Sequence, residues 1–189
     1  GNLTAADCVF IANDTGISNY GNVTATGCVF GGNTFYGINN QGGNPNTGSV
    51  TVAHCTFSDN LDGYGGINNN RGSVAAAGCT FSGNTHGIVN RNTSSATAAN
   101  CTFVGNDYGL LVSGTAEITN CTFTGNSVTG TQWLEGGAIG ATGRVNLTIE
   151  TSTFAENHAP TAGSHIWGEA NLDGLTLRGC TLRDATSRS

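Results

Sequence analysis

The chain has 189 residues, one domain's length, with 30 Gly, 37% hydrophobic residues, only 10% charged residues and a formal net charge of −6. Its six basic residues are all Arg and lie scattered along the sequence, whereas nucleic-acid binding needs a clustered basic surface, so no nucleic-acid partner is expected. No apolar run approaches the roughly 20 residues of a membrane-spanning helix, so no membrane insertion is expected, yet the apolar content suffices for a continuous core.

A short motif recurs from one end of the chain to the other: Cys, a β-branched residue, Phe, two variable residues, then Asn. It begins with Cys8-Val9-Phe10 and Asn13, then Cys28-Val29-Phe30 and Asn33, then Cys55-Thr56-Phe57 and Asn60. Next come Cys79-Thr80-Phe81 with Asn84, Cys101-Thr102-Phe103 with Asn106, and Cys121-Thr122-Phe123 with Asn126. A seventh copy, Ser152-Thr153-Phe154 with Asn157, replaces Cys by Ser, and Cys180-Thr181-Leu182 with Asp184 is a degenerate eighth. An apolar strand signal precedes seven of the eight motifs (Leu3, Val23, Val50, Val74, Ile118, Leu147, Leu175). A Gly- or Ala-aliphatic pair follows six of them: Gly16-Ile17, Gly37-Ile38, Gly66-Ile67, Gly87-Ile88, Gly109-Leu110 and Ala138-Ile139. Three short strands per period, without any sustained helical pattern, predict an all-β chain. The expected architecture is a single-stranded right-handed parallel β-helix of about eight rungs with uncapped ends, residues 1–189 forming one domain.

Alternation along a strand turns Cys and Phe inward and the residue between them outward. Rungs stacked about 4.8 Å apart then place Phe on Phe and Cys on Cys, while the Asn amides ladder from turn to turn. The repeated Phe-x-x-Asn, with Gly136-Gly137-Ala138-Ile139, resembles the repeats of the chlamydial polymorphic outer-membrane proteins and related bacterial β-helix surface proteins. That resemblance covers nearly the whole chain and implies a secreted or surface-displayed solenoid used for adhesion or structure. No membrane-barrel segment accompanies it, and most rungs lack the full Gly-Gly-aliphatic motif.

The seven Cys are one rung apart and show no zinc-ligand spacing, so a buried thiol ladder is expected, with disulfides the alternative; no cofactor or metal is expected. Asp59 and Glu156 share an offset from the rung Phe but lie four rungs, roughly 19 Å, apart, and so do Asp14 and Asp107. A hydrolytic carboxylate pair needs about 5 to 9.5 Å, and no catalytic site is assigned. His54, His86, His158 and His165 fall at four offsets and read as surface or turn residues. Tyr36, Tyr64, Tyr108, Trp133 and Trp167 follow the Asn turns, as do the insertions at residues 39–49, 127–137 and 158–166. They read as one side of the solenoid, either a glycan-stacking contact stripe or loop packing over the corner. Thr56, Thr80, Thr102, Thr122, Thr153 and Thr181 form an outward column, for which β-propensity is sufficient reason. Among the Asn-x-Ser/Thr sites, Asn100 and Asn120 precede inward Cys residues, should face solvent and are candidate glycosylation positions.

The chain opens at Gly1, which reads as a mature or excised segment, and repeat pattern reaches nearly to both ends. Joined to a second copy, Cys180 and the next Cys8 would be spaced a little below the shortest internal interval. Head-to-tail stacking into a non-enzymatic extracellular or cell-surface filament is therefore the expected function, with itself as partner. A surface adhesin that binds glycans through the aromatic side is the alternative, and a polysaccharide lyase-like enzyme the third reading.

Overall fold

The three-residue strand at the centre of each motif shows why the chain coils. In Thr102–Val104 the Phe is fully buried while its neighbours face out, and the residues on either side of the strand turn sharply. The corner before the Cys is left-handed in every rung: Asp7, Gly27, His54, Gly78, Asn100, Asn120, Thr151 and Gly179 have φ between 49° and 63°. A second left-handed corner lies two residues beyond the Phe, at Ala12, Gly32, Asp59, Gly83, Gly105, Gly125 and Glu156. Two such corners around a short strand redirect the chain twice within a few residues, and Asn, Asp and Gly tolerate that backbone best.

In the computed structural model, which describes residues 1–41, 48–128, 137–159, 165–168 and 172–183, every strand pairing is parallel and joins one rung to the next. The first strands, Asn2–Ala6 through Leu172–Arg178, and the short second strands, Val9–Ile11 through Thr181–Arg183, each stack through eight rungs. The third strands, Thr15–Asn19 through Ile166–Gly168, complete seven turns, in line with the expected count of about eight rungs.

The core is a set of columns in register. Six successive Phe contacts run from Phe10 to Phe154 with ring centroids 4.5–4.9 Å apart and planes within 7°, an offset stack repeated along the axis. The third strand contributes Ile17, Ile38, Ile67, Ile88, Leu110, Ile139 and Ile166. Gly precedes most of these because both the next rung's backbone and a Phe ring pack against it: a Cβ on Gly87 would stand 2.4 Å from Gly109 O and 2.7 Å from Phe103 Cδ1. The Gly-aliphatic signal in the sequence thus reflects close rung stacking beside the Phe column.

Two further columns carry polar groups inside. All seven Cys are free thiols, so the ladder is not disulfide-bonded; five are buried, and Cys8 and Cys180 at the end rungs are half-buried. The thiols of Cys28, Cys55, Cys79 and Cys121 each accept the backbone N–H of the Cys one rung earlier at 3.4–3.5 Å, and Ser152 Oγ takes over that role for Cys121 N at 3.0 Å. In the Asn column, Asn106 Oδ1 accepts from both N and Nδ2 of Asn84, while Asn106 Nδ2 donates to Phe81 O and Asn126 Oδ1, all within 3.0 Å. The pattern repeats from Asn13 to Asn157, where Nδ2 meets His165 Nδ1 at 3.3 Å; Asp184 lies outside the described residues.

Candidate functional site

The third-strand side of the solenoid is where polar, aromatic and cationic side chains gather. Its outward positions, one beyond the inward aliphatic column, are Ser18, Asn39, Asn68, Val89, Leu111, Gly140 and Trp167. Alternation would expose them, yet Asn39, Asn68, Val89 and Leu111 are all buried. On the same side the Arg91 guanidinium lies 3.5 Å from the centroid of the Tyr64 ring, a cation–π contact across the strands.

Of the five aromatic residues expected on one side, three belong to a short stack. Tyr36 and Tyr64 have ring centroids 6.3 Å apart, Tyr64 and His86 5.6 Å, and His86 and Tyr108 4.8 Å with planes 12° apart. His86 completes this stack and is buried, as is Tyr108; Tyr36 and Tyr64 are half-buried. Trp167 stands elsewhere, in register with Gly140 at the outward third-strand position, three residues further along the strand than the Tyr36 and Tyr108 register. Trp133 lies outside the described residues.

Three details of the sequence reading need correction. His86 and His165 are buried rather than at the surface, each 8% exposed. Burial, and then the positive charge of Arg91, push the His86 pKa down from 6.5 to about 4. The insertions do not all leave from one turn: residues 41–48 connect a third strand to the next first strand, whereas 129–136 and 160–164 precede third strands. Three of the six Arg residues are less scattered in space than in sequence, whereas Arg178 and Arg183 end a first and a second strand. Arg71 and Arg144 are exposed at the corner between third and first strands, and Arg91 closes the third strand of the fourth rung. Nothing in residue spacing announces this, because the corner's position in each period shifts with loop length.

Beside Arg91 lies an open cleft of about 290 Å³ lined by Asn90, Arg91, Asn92, Leu111, Ser113 and Thr142. Asn90 belongs to a second inward amide column that the sequence reading missed: Asn40 Nδ2 donates to Asn69 Oδ1 and Asn69 Nδ2 to Asn90 Oδ1, both at 2.9 Å. The run Gly-Ile-x-Asn (Gly37 to Asn40, Gly66 to Asn69, Gly87 to Val89 then Asn90) was its signal.

The carboxylates that share an offset occupy corners and turns: Asp59 and Glu156 are left-handed corner residues on opposite halves of the solenoid. Burial raises the Asp107 carboxyl above its usual range. Among the described residues no three His, Cys, Asp or Glu gather closely enough to hold a metal ion. The candidate glycosylation residues Asn100 and Asn120 are both exposed left-handed corners, one rung apart, with Asn120 Nδ2 donating to Asn100 Oδ1 at 2.6 Å.

No curated protein and no solved structure matches the chain. A family model described as right handed beta helix region matches residues 1–154. With its parallel rungs, inward Phe, Cys and Asn columns and seven complete turns, the chain belongs to the right-handed β-helix family.

Proposed function

We propose that this β-helix is a non-catalytic structural protein of the cell surface or extracellular space, one that assembles by stacking end rung on end rung. The observation that carries the reading is the match between the columns at the two end rungs. The column that starts with Leu3 ends with Leu175, that of Ala5 with Leu177, that of Phe10 with Leu182 and that of Cys8 with Cys180. Leu175, Leu177 and Leu182 are 42–49% exposed, and Leu3 is 38% exposed. Stacking a second copy in register would cover apolar side chains with their own kind and pair the open strand edges, as each internal rung already does. The same columns would accept any continuing rung of matching cross-section.

The resemblance to bacterial surface repeats supports an exported setting. A non-catalytic role is supported by the carboxylates at corresponding positions, which stand four rungs apart, beyond the separation of a hydrolytic pair. Electron microscopy of the purified chain tests the reading. Fibres with an axial repeat near roughly 38 Å, eight rungs of about 4.8 Å, are expected. Isolated short rods at high concentration would overturn it, and release of unsaturated sugars from a polyuronate would overturn the non-catalytic part.

A second reading, a surface adhesin that contacts glycans sideways, is favoured by one specific feature: the Tyr36–Tyr64 pair with Arg91 over the Tyr64 ring and an open cleft lined by Arg91 on the third-strand side.

A further inference from the structure

Seven Asn residues head an Asn-x-Ser/Thr sequence, and the fold sorts them by how each amide is held. Asn13 gives its Nδ2 to Ile11 O and to Asn33 Oδ1, at the foot of the inner amide ladder. Asn22 lies on the first sheet, its Nδ2 donated to Asn2 Oδ1 and its Oδ1 accepting from N and Oγ of Ser49. Asn100 and Asn120 stand instead on the corner between first and second strands. Only two residues separate those strands in each of the eight rungs, so this corner is a narrow convex ridge, and the long connections all lie at the other two corners.

Both residues are exposed, with φ of 55° and 51°, and their backbone N–H groups are fixed on the next rung, Asn100 N to Thr119 O and Asn120 N to Glu150 O. The corner turns Cys101 and Cys121 into the core and leaves Thr102 and Thr122, two residues on, facing outward. The amide pair has a polarity. Asn120 Nδ2 donates to Asn100 Oδ1 at 2.6 Å, whereas Asn100 Nδ2 donates to no group among the described residues. A solvated amide nitrogen with an outward Thr two residues away, on a ridge that a transferase can approach from both flanks, is what N-linked modification requires. Asn146 is also exposed, but it lies within a first strand that neighbouring strands hem in on both sides.

We propose that this corner is a modification site in which Asn100 takes a sugar and the Asn100–Asn120 pair carries one glycan at a time. The donor class is a sugar held as a diphosphate ester. Asn100 Nδ2 forms a bond to the anomeric carbon as that carbon's bond to the diphosphate oxygen breaks. The diphosphate leaves, and one Nδ2 proton passes to a base of the transferase. Asn100 Oδ1 still accepts from Asn120, so the hydrogen bond between the two survives. Their Cα atoms are one rung, about 4.8 Å, apart, no more than the width of a pyranose ring, so a glycan on one shields the other. The site lies on the flank in rungs 5 and 6, away from the end rungs, and is independent of end-to-end stacking. It adds a solubilising group to a surface on which the neighbouring outward residues, Thr97, Thr102, Thr119 and Thr122, carry no charge.

The test is mass spectrometry of the chain recovered from its native cell, with two variants expressed there. Tryptic cleavage after Arg91 and Arg144 keeps both Asn residues on one peptide, whose mass counts glycans, and further cleavage after Glu117 separates Asn100 from Asn120. One glycan per peptide is expected, on Asn100. Thr102→Val removes the hydroxyl while leaving the strand a β-branched residue, and should abolish the modification of Asn100 and pass it to Asn120. Thr102→Ser, which keeps a hydroxyl, should leave it on Asn100. Melting temperatures close to the parent's are expected for both variants, which separates loss of the site from loss of the fold. A peptide bearing no sugar, sugar on Asn92 alone, or modification of Asn100 that survives Thr102→Val would overturn the site. Two glycans on one peptide would overturn the exclusion between Asn100 and Asn120.

Discussion

Single side chains in this solenoid act through their neighbours above and below, and His86 shows what that does to protonation. It is packed between Tyr64 and Tyr108, its Nδ1 has no partner, and its pKa is depressed from 6.5 to about 4 by burial first and Arg91 second. Between those values the unfolded chain binds a proton that the folded chain excludes, so stability is full above about pH 6.5 and is lost as pH falls toward 4. The shift corresponds to about 3 kcal/mol. Asp107, raised by burial, acts in the opposite sense at the acid end. Urea titrations at pH 7 and pH 4.5 should show this loss in the parent chain and its near absence in His86→Phe, which keeps the stack on Tyr108. An equal loss in both would remove His86 as the cause. The Asn column makes the same point with neutral groups. Asn106→Ala strands two donors of Asn84 and the carbonyl of Phe81, at about 1–3 kcal/mol for each buried group left unpaired. Denaturation should report a loss of about 4 kcal/mol, against less than about 1 kcal/mol for Asn13→Ala, whose residue is exposed at the first rung. Comparable losses would mean that the ladder does not act through burial.

At the scale of the strand and its corners, the motif Cys-x-Phe-x-x-Asn was legible because each of its members fills a column whose chemistry admits few residue types. The corners were not. Their left-handed backbone is occupied by Asp, Gly, His, Asn, Thr, Ala and Glu, a mixture with no pattern in one dimension. What unites these residues is the backbone angle rather than side-chain chemistry. The misfit among them is Thr151, a β-branched residue at φ 49° where the equivalent rungs have Gly27, Gly78, Asn100 or Asn120. Such a conformation costs a β-branched residue on the order of 1–3 kcal/mol. Thr151→Gly should therefore raise the stability of the chain by about 1 kcal/mol, despite the greater freedom Gly gives the unfolded state. Calorimetric melting checks this; a lower melting temperature would show that the Thr151 side chain contributes more than its backbone costs. The burial of His86 was legible but missed: its offset from the rung Phe matches no other His, yet it equals that of Tyr108, five residues on in both rungs, and the two are in register.

Across the whole molecule, each rung touches only its neighbours, so the columns are the unit of organisation and their open ends decide what the solenoid can join. The fold was readable from repetition, whereas the basic edge was not: Arg71, Arg91 and Arg144 come together only because loops of unequal length return the chain to one corner. Assembly is likewise a property of columns. Leu182, 49% exposed in the last described second strand, occupies the Phe column and would lie on Phe10 of a following copy. In the lone solenoid Leu182→Glu places a carboxylate at an already open position, and its effect on melting should stay within about 1 kcal/mol. In a stacked fibre the same carboxylate would be buried against an apolar column with no cation opposite it, a cost of several kcal/mol at every junction. Because a fibre multiplies that cost by its number of junctions, Leu182→Glu should leave folded single rods where the parent chain forms fibres. Thr102→Glu, on the outward column in the middle of the solenoid, puts the same charge on the flank and should leave fibres intact. Fibres from Leu182→Glu, or their loss in both variants, would place the contact between copies on the sides of the solenoid rather than at its end rungs.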